Sequence, residues 1–226
     1  MQQAWHDLLF AHWRVDARAL RALVPAELEL DTFDGEAWVG VVPFRMSGIR
    51  ARGLPALPGA SAFAELNLRT YVRRGGVGGV WFFTLEAEHA LAVRVARAWF
   101  HLPYHLARMR CRAAGDGIEY ASTRVHRGAP PARVEVDYAP VGPARVALLG
   151  TLEHWLTERY CLFARRRRGE LLRADIHHAP WPLQDARAEF RVNALASAHG
   201  IELPAEPPRL HFARRLDVLI WPPRRV

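Results

Sequence analysis

Runs in which apolar and polar residues alternate dominate this chain, with only short stretches of helical spacing between them. Asp16 stands where it would cap a helix over Ala17–Val24, with Leu20, Leu23 and Val24 on one face and Pro25 as its stop. Strand-like stretches follow at Ala37–Met46, Ala64–Arg73 and Val80–Glu86. The RRGGVGG between the last two joins strand to strand, so it reads as a hairpin turn rather than a phosphate cradle. A helix is expected from about Ala90 to Phe100, where Leu91, Val95 and Trp99 recur every four residues and Pro103 ends the pattern. Strands at His105–Ala113 and Ile118–His126 are joined by Gly115-Asp116-Gly117, a strong hairpin signal. Beyond them the pattern predicts a strand at Arg133–Tyr138, a helix near Thr151–Glu158, and strands around Tyr160–Ala164 and Leu171–His177. It then predicts a helix capped by Asp185 and running to about Ala198 with Gly200 as its stop, and a final strand over Leu216–Trp221.

No internal repeat and no dividing linker interrupts this series. The expectation is a single domain over residues 1–226, α+β in class and mainly antiparallel. So many strands favour a curled or barrel-like sheet with a few flanking helices.

Within AELNLRTYV, residues 64–72, strand alternation places Leu66, Leu68, Thr70 and Val72 on one face and Glu65, Asn67, Arg69 and Tyr71 on the other. One reading is a half-exposed strand with this polar row in water; the other follows from the hairpin partner VWFFTLE, apolar on both faces, which favours an interior strand whose polar row lines a cavity. A buried carboxylate and guanidinium in one row are the material of a polar binding pocket.

FHLPYHLARM, residues 100–109, carries two histidines and a tyrosine around Pro103. Alternation sends Arg108, Arg110 and Arg112 to solvent, so His105 faces inward with Ala107, Met109 and Cys111, and Tyr104 sits at the rim. His101 and His105 are four apart, but Pro103 prevents the helix that would bring both to one metal ion, so no metal site is expected. In DIHHAPWPL, His178 follows Ala174 and Ile176 inward while His177 points away, and Trp181 between two prolines forms a rigid aromatic wall. LTERYCLF places Glu158, Arg159 and Tyr160 at a helix-to-strand junction, where structural ion pairing competes with a place in the pocket.

Composition sharpens the chemistry. The formal net charge is +8 over 226 residues, yet all 31 basic residues are arginine and there is no lysine. Schiff-base catalysis by a side-chain amine is therefore excluded. The densest basic cluster, RRRR at 165–168, runs into Gly169 and reads as a solvated turn, and no nucleic-acid-binding signature accompanies it. Cys111 and Cys161 lie far apart in strand-like stretches and are expected to be reduced, buried thiols. The N-terminal MQQAWHDLLFAHW lacks the features of a signal peptide, and no apolar run is long enough to span a bilayer. The expectation is a cytoplasmic protein that binds neither membrane nor nucleic acid and needs no cofactor; exposed sheet edges leave homo-oligomerisation open.

The combination of DARALRALVPAELELDTFDGEAWVGVVPFRM, SAFAELNLRTYV, LTERYCLF, IHHAPWPLQ and RRLDVLIWPP resembles the YqjF-like family of bacterial proteins over essentially the whole chain. That family is similar to a distant branch of the acetoacetate decarboxylase superfamily. The resemblance implies a barrel-like antiparallel sheet around a small-molecule cavity. It also implies that Glu65, in the strand after a long loop, matches an active-site glutamate of the decarboxylase. Pro103-Tyr104-His105 stands where the decarboxylase carries its catalytic lysine pair, and its active-site arginine falls near His6. The carboxylate is kept and the amines are replaced, so decarboxylation through an imine is not expected.

Two function classes remain. One is an enzyme acting on a carbonyl or carboxylate compound by acid–base chemistry, with Glu65, His105 and Tyr104 as catalytic candidates. Arg69, Asn67, Tyr71, His178 and Trp181 would contact the substrate. The other is a non-catalytic barrel that holds a small molecule in the same cavity.

Overall fold

The computed structural model describes residues 1–51, 53 and 62–226. Its strands are β1 (Gln2–Val15), β2 (Glu29–Leu30), β3 (Ala37–Arg50), β4 (Phe63–Arg74), β5 (Val77–Ala87), β6 (Tyr104–Ala114) and β7 (Gly117–Arg124). They continue with β8 (Arg133–Arg145), β9 (Cys161–Arg165), β10 (Leu171–His178), β11 (Leu183–Asn193), β12 (Arg209–Ile220) and β13 (Arg224–Arg225). The helices are α1 (Ala17–Leu23), α2 (Ala90–Val95), which runs into a π-helical turn at Ala96–Phe100, and α3 (Leu152–Thr157). The long loop that precedes the Glu65 strand lies largely outside the described residues.

Two strands decide the architecture by dividing their hydrogen bonds. β5 pairs with β4 along its length, but on its other edge its start pairs with β9 (Val80↔Leu162) and its end with β6 (Leu85↔Tyr104). β12 divides in the same way, between β11 at its start (Gln184↔Phe212) and β10 at its end (His178↔Val218). The sheet therefore closes on itself twice, into two rings that share the wall β5-β4-β3-β1-β12. Both junctions of β5 are parallel, whereas the other strand pairs are antiparallel. A parallel return needs a crossover, and α2 with its π-helical turn supplies it between β5 and β6.

A wall with a ring on each side is buried on both faces, and its residues sort by alternation. Leu8, Phe10, Val42, Phe44, Met46 and Tyr71 face the first ring, completed by β9 and β10. Leu9, Ala11, Val39, Val41, Leu66 and Leu68 face the second, completed by β6, β7, β8 and β11. A smaller core, which includes Val24, Leu28, Val72 and Phe163, seals the outside of the first ring beside α1. Asp16 caps α1 as expected, accepting the Ala19 N–H at 2.7 Å. The Gly75-Gly76 turn, with φ of +55° and +79°, makes the β4–β5 hairpin tight.

The expected helix from Asp185 to Ala198 is instead β11, paired with β8 and β12. Alanine, arginine and glutamate favour helices, yet Ala186, Ala188 and Phe190 alternate with exposed Asp185, Arg187 and Glu189, and burial of that face decides the matter. β1 is a strand that the alternation pattern does not mark. Its alternation is broken at Asp7, whose φ is +50°, with a register shift against β3 between His6 and Ala11. β8 runs well past Tyr138, through two prolines, to Arg145. Among the described residues no helix is long and apolar enough to cross a membrane.

Candidate functional site

The first ring holds a cavity of about 280 Å³, lined mainly by apolar side chains from the shared wall, β9, β10 and the α2 crossover. Glu65, Asn67 and Arg69 project into it from one face of β4, as alternation requires. Tyr104, His178 and Trp181 also line it. All of these but Trp181 stand on β4, β6 or β10, whose register sets them, while His89, Thr157 and Arg159 join the lining from outside the strands.

Glu65 is 4% exposed, and its carboxyl Oε2 accepts a hydrogen bond from the Tyr104 hydroxyl at 2.6 Å. Burial pushes its pKa from an ordinary 4.5 up to about 7, against the opposing pull of that hydrogen bond. Burial and the adjacent Glu65 hold the Tyr104 phenol well above its ordinary value, so it stays protonated and donates. Glu65 thus carries a proton about half the time near neutral pH, the condition that suits a general acid or base. Neither residue contacts Arg69, four positions along β4 from Glu65.

At the other end, Arg69 is 9% exposed and donates from Nη2 to the Leu156 carbonyl at 3.3 Å, while its Nε is buried without a partner among the described residues. Its guanidinium lies over the rings of Phe10 (5.2 Å) and Tyr71 (5.7 Å). Nearby Arg159 reaches Asp31 at 2.7 Å, and Asp31 also accepts from Arg73 at 3.0 Å. Asn67 Oδ1 and the indole N–H groups of Trp5 and Trp181 are likewise buried without partners among the described residues. Trp181 stacks on Trp5 (5.8 Å) and meets Phe10 edge-on (4.8 Å). Burial lowers the pKa of His178, leaving a neutral imidazole whose Nδ1 meets the Ala179 carbonyl at 2.8 Å.

Two of the expected residues stand elsewhere. Tyr71 lies beneath Arg69 and does not line the cavity; its hydroxyl donates to the Leu156 carbonyl at 2.8 Å and meets His12 Nε2 at 2.6 Å. His105 is on the opposite side of the sheet from Glu65. β6 begins at Tyr104, so Tyr104 and His105 are consecutive strand residues and must point to opposite faces. His105 Nδ1 meets Thr84 Oγ1 at 2.9 Å, within a second buried cluster where Arg124 grips Glu86. Thr84 has one hydroxyl hydrogen and gives it to Glu86 at 2.7 Å, so His105 Nδ1–H is the donor to Thr84. Burial, with the positive Arg124 next in effect, pushes the His105 pKa down to about 3, so it is neutral. His6 also lies off the cavity, with Nε2 on Ser47 Oγ at 2.7 Å.

Residues of the site that sequence reasoning missed are chiefly Trp5, Gln3 and Phe44, from β1 and β3. The irregularity at Asp7 hides the alternation that would have marked β1. Among the described residues, Glu153, Asp185 and His211 offer ligand atoms within 4.8 Å of one another. Arg145 already donates to both carboxylates, at 2.9 and 2.8 Å, and so fills the cation's role there. Burial raises the Cys111 thiol to about 11 and the buried Cys161 thiol above its ordinary value, so neither is a ready nucleophile.

A family model described as DUF2071, uncharacterized conserved protein (COG2071), matches residues 2–217. Uncharacterized protein YqjF of Bacillus subtilis (strain 168) is 50% identical over 225 residues, which cover 100% of this chain and 92% of that protein. Among solved structures, acetoacetate decarboxylase from Legionella pneumophila has a TM-score of 0.68 at 14% identity, covering 100% of this chain and 87% of that one. The enduracididine biosynthesis enzyme MppR, complexed with pyruvate, has a TM-score of 0.67 at 13% identity, covering 99% of this chain and 89% of that one. At these identities the structural likeness shows a shared acetoacetate-decarboxylase-like fold.

Proposed function

The chain belongs to the DUF2071 family of uncharacterized conserved proteins, and for this member we propose an enzyme that performs acid–base chemistry on a small carbonyl or carboxylate compound, without a Schiff base. The observation that carries this reading is the pairing of buried Glu65 with half-buried Tyr104 in a mostly apolar cavity. Glu65, with a pKa of about 7, takes a proton from a carbon next to a carbonyl and returns it to the same or a neighbouring atom. Tyr104 holds the carboxylate in place before transfer. As Glu65 becomes neutral, the phenol's hydrogen bond is freed for the enolate oxygen that develops. Arg69, Asn67, His178 and Trp181 contact the substrate's remaining parts. Two solved structures of the same fold, an acetoacetate decarboxylase and an enzyme complexed with pyruvate, make a carbonyl compound the natural class to try first.

The test is proton exchange in heavy water. A panel of small ketones and 2-oxo acids is incubated with the protein, and loss of the C–H signal next to the carbonyl is followed by NMR. At least one member should exchange with the wild type and at least about a hundredfold more slowly with Glu65→Gln, within the usual range for a lost general base. Ligand binding with no exchange by the wild type would replace this reading with the non-catalytic binding protein. Undiminished exchange by Glu65→Gln would remove Glu65 from the chemistry.

A further inference from the structure

Arg69 is a buried guanidinium with no carboxylate partner among the described residues. The buried carboxylate of Asp31, which holds the cavity-lining Arg159, is shared with Arg73. His12, also buried there, is kept neutral by burial and by Arg69 itself, so it adds no charge of either sign. A buried cation without a counter-ion is costly, and an anion entering the cavity would relieve that cost. A planar guanidinium lining the cavity suits a carboxylate.

The anion-binding end and the reacting end are far apart. Glu65 and Arg69 leave the same face of β4 four residues apart, about 13 Å of extended backbone. Between them runs a series of rings: Arg69 over Phe10 (5.2 Å), Phe10 to Trp181 (4.8 Å), Trp181 to Trp5 (5.8 Å), Trp5 to Phe44 (5.6 Å). Phe44 is the cross-strand partner of Glu65, which closes the series at the acid–base pair. An extended backbone spans four residues in twelve bonds, so a ligand reaching from one group to the other needs a chain on the order of ten bonds.

We propose that the cavity takes an elongated, mainly apolar carboxylate, with its carboxylate on Arg69 and its reactive carbonyl end at Glu65. This rests on the acid–base reading of Glu65 for the reacting end. It separates the preferred substrate from short 2- or 3-oxo acids, whose carboxylate lies one or two bonds from the carbonyl and cannot reach both groups.

The experiment is isothermal titration of the full chain with butanoate, octanoate and octan-1-ol. Octanoate should bind at least about tenfold more tightly than butanoate, because four further methylenes leave water, and about tenfold more tightly than octan-1-ol, which offers Arg69 no charge. Arg69→Gln should lower octanoate affinity about tenfold and leave octan-1-ol within about threefold. Equal affinity for butanoate and octanoate, equal affinity for octanoate and octan-1-ol, or no binding of octanoate each overturns the proposal. If Arg69→Gln does not fold, the wild-type comparison alone decides. Titration of Glu65 near pH 7, read without ligand from its carboxyl infrared band, is independent of this series. If that titration holds and octanoate fails, the carboxylate anchor falls and the acid–base reading stands.

Discussion

Replacing Glu65 by glutamine should stabilise the protein in alkaline solution and change little in acid. The carboxamide would keep an oxygen for the Tyr104 hydroxyl and has nearly the same shape, so the difference between the two chains is the ionisable proton. In the native wild type burial raises the Glu65 pKa from 4.5 to about 7, so the folded state binds that proton more tightly than the unfolded chain does. Stability from this group is complete below pH 4.5 and is lost as pH rises through 7, because a charge must then be held in an apolar cavity. At about 1.4 kcal/mol per pH unit, the loss amounts to about 3 kcal/mol by pH 8.5. Urea unfolding of both chains at pH 4 and pH 8.5 measures it directly. The variant should gain about 3 kcal/mol on the wild type between those two pH values, other titrations cancelling in the difference. Parallel stability profiles would show that Glu65 ionises as an ordinary solvated carboxyl, and the cavity would lose its acid–base group.

Tyr104→Phe removes the hydrogen bond that holds the Glu65 pKa down, so its infrared titration should move above 7, whereas His105→Gln, across the sheet, should leave it in place. No movement with Tyr104→Phe, or an equal one with His105→Gln, would contradict this geometry. Gly40→Ala would set a methyl 2.9 Å from the His12 ring, a buried side chain joined through Tyr71 to the Arg69 end. A loss of about 1–3 kcal/mol in urea unfolding is expected, and a change under about 0.5 would mean the wall has slack. Glu86→Gln leaves Arg124 as a buried, unpaired cation and should cost about 3–5 kcal/mol, while the double change Glu86→Leu, Arg124→Met should recover much of that. Additive losses in a double-mutant cycle would show that the pair is not coupled.

Much was legible in the residues alone. Period-two alternation in AELNLRTYV placed Glu65, Asn67 and Arg69 on one face because a strand has no other way to arrange them. The absence of lysine excludes an imine whatever the fold. Most strand positions, the two hairpins and the α1 cap follow from similarly local rules. Local rules failed where two of them competed. Ala186, Ala188 and Phe190 sit among helix formers, and pairing with β8 overrode that preference. The break at Asp7 shifted the phase of β1 and concealed Trp5.

Which groups meet could be decided only in three dimensions. Tyr104 and His105 are neighbours in sequence, and both looked suited to a partner across the pocket. The register Leu85↔Tyr104 aims the tyrosine toward Glu65 and sends the histidine to Thr84 and Glu86 behind the sheet. Among the described residues Arg69 has no counter-ion, while Asp31 is shared by two other arginines brought from positions 73 and 159. Alternation is a property of one strand and survives in its residues. The forks of β5 and β12 that frame the cavity, and the charges left unpaired inside it, depend on pairings between distant segments, which no local pattern encodes.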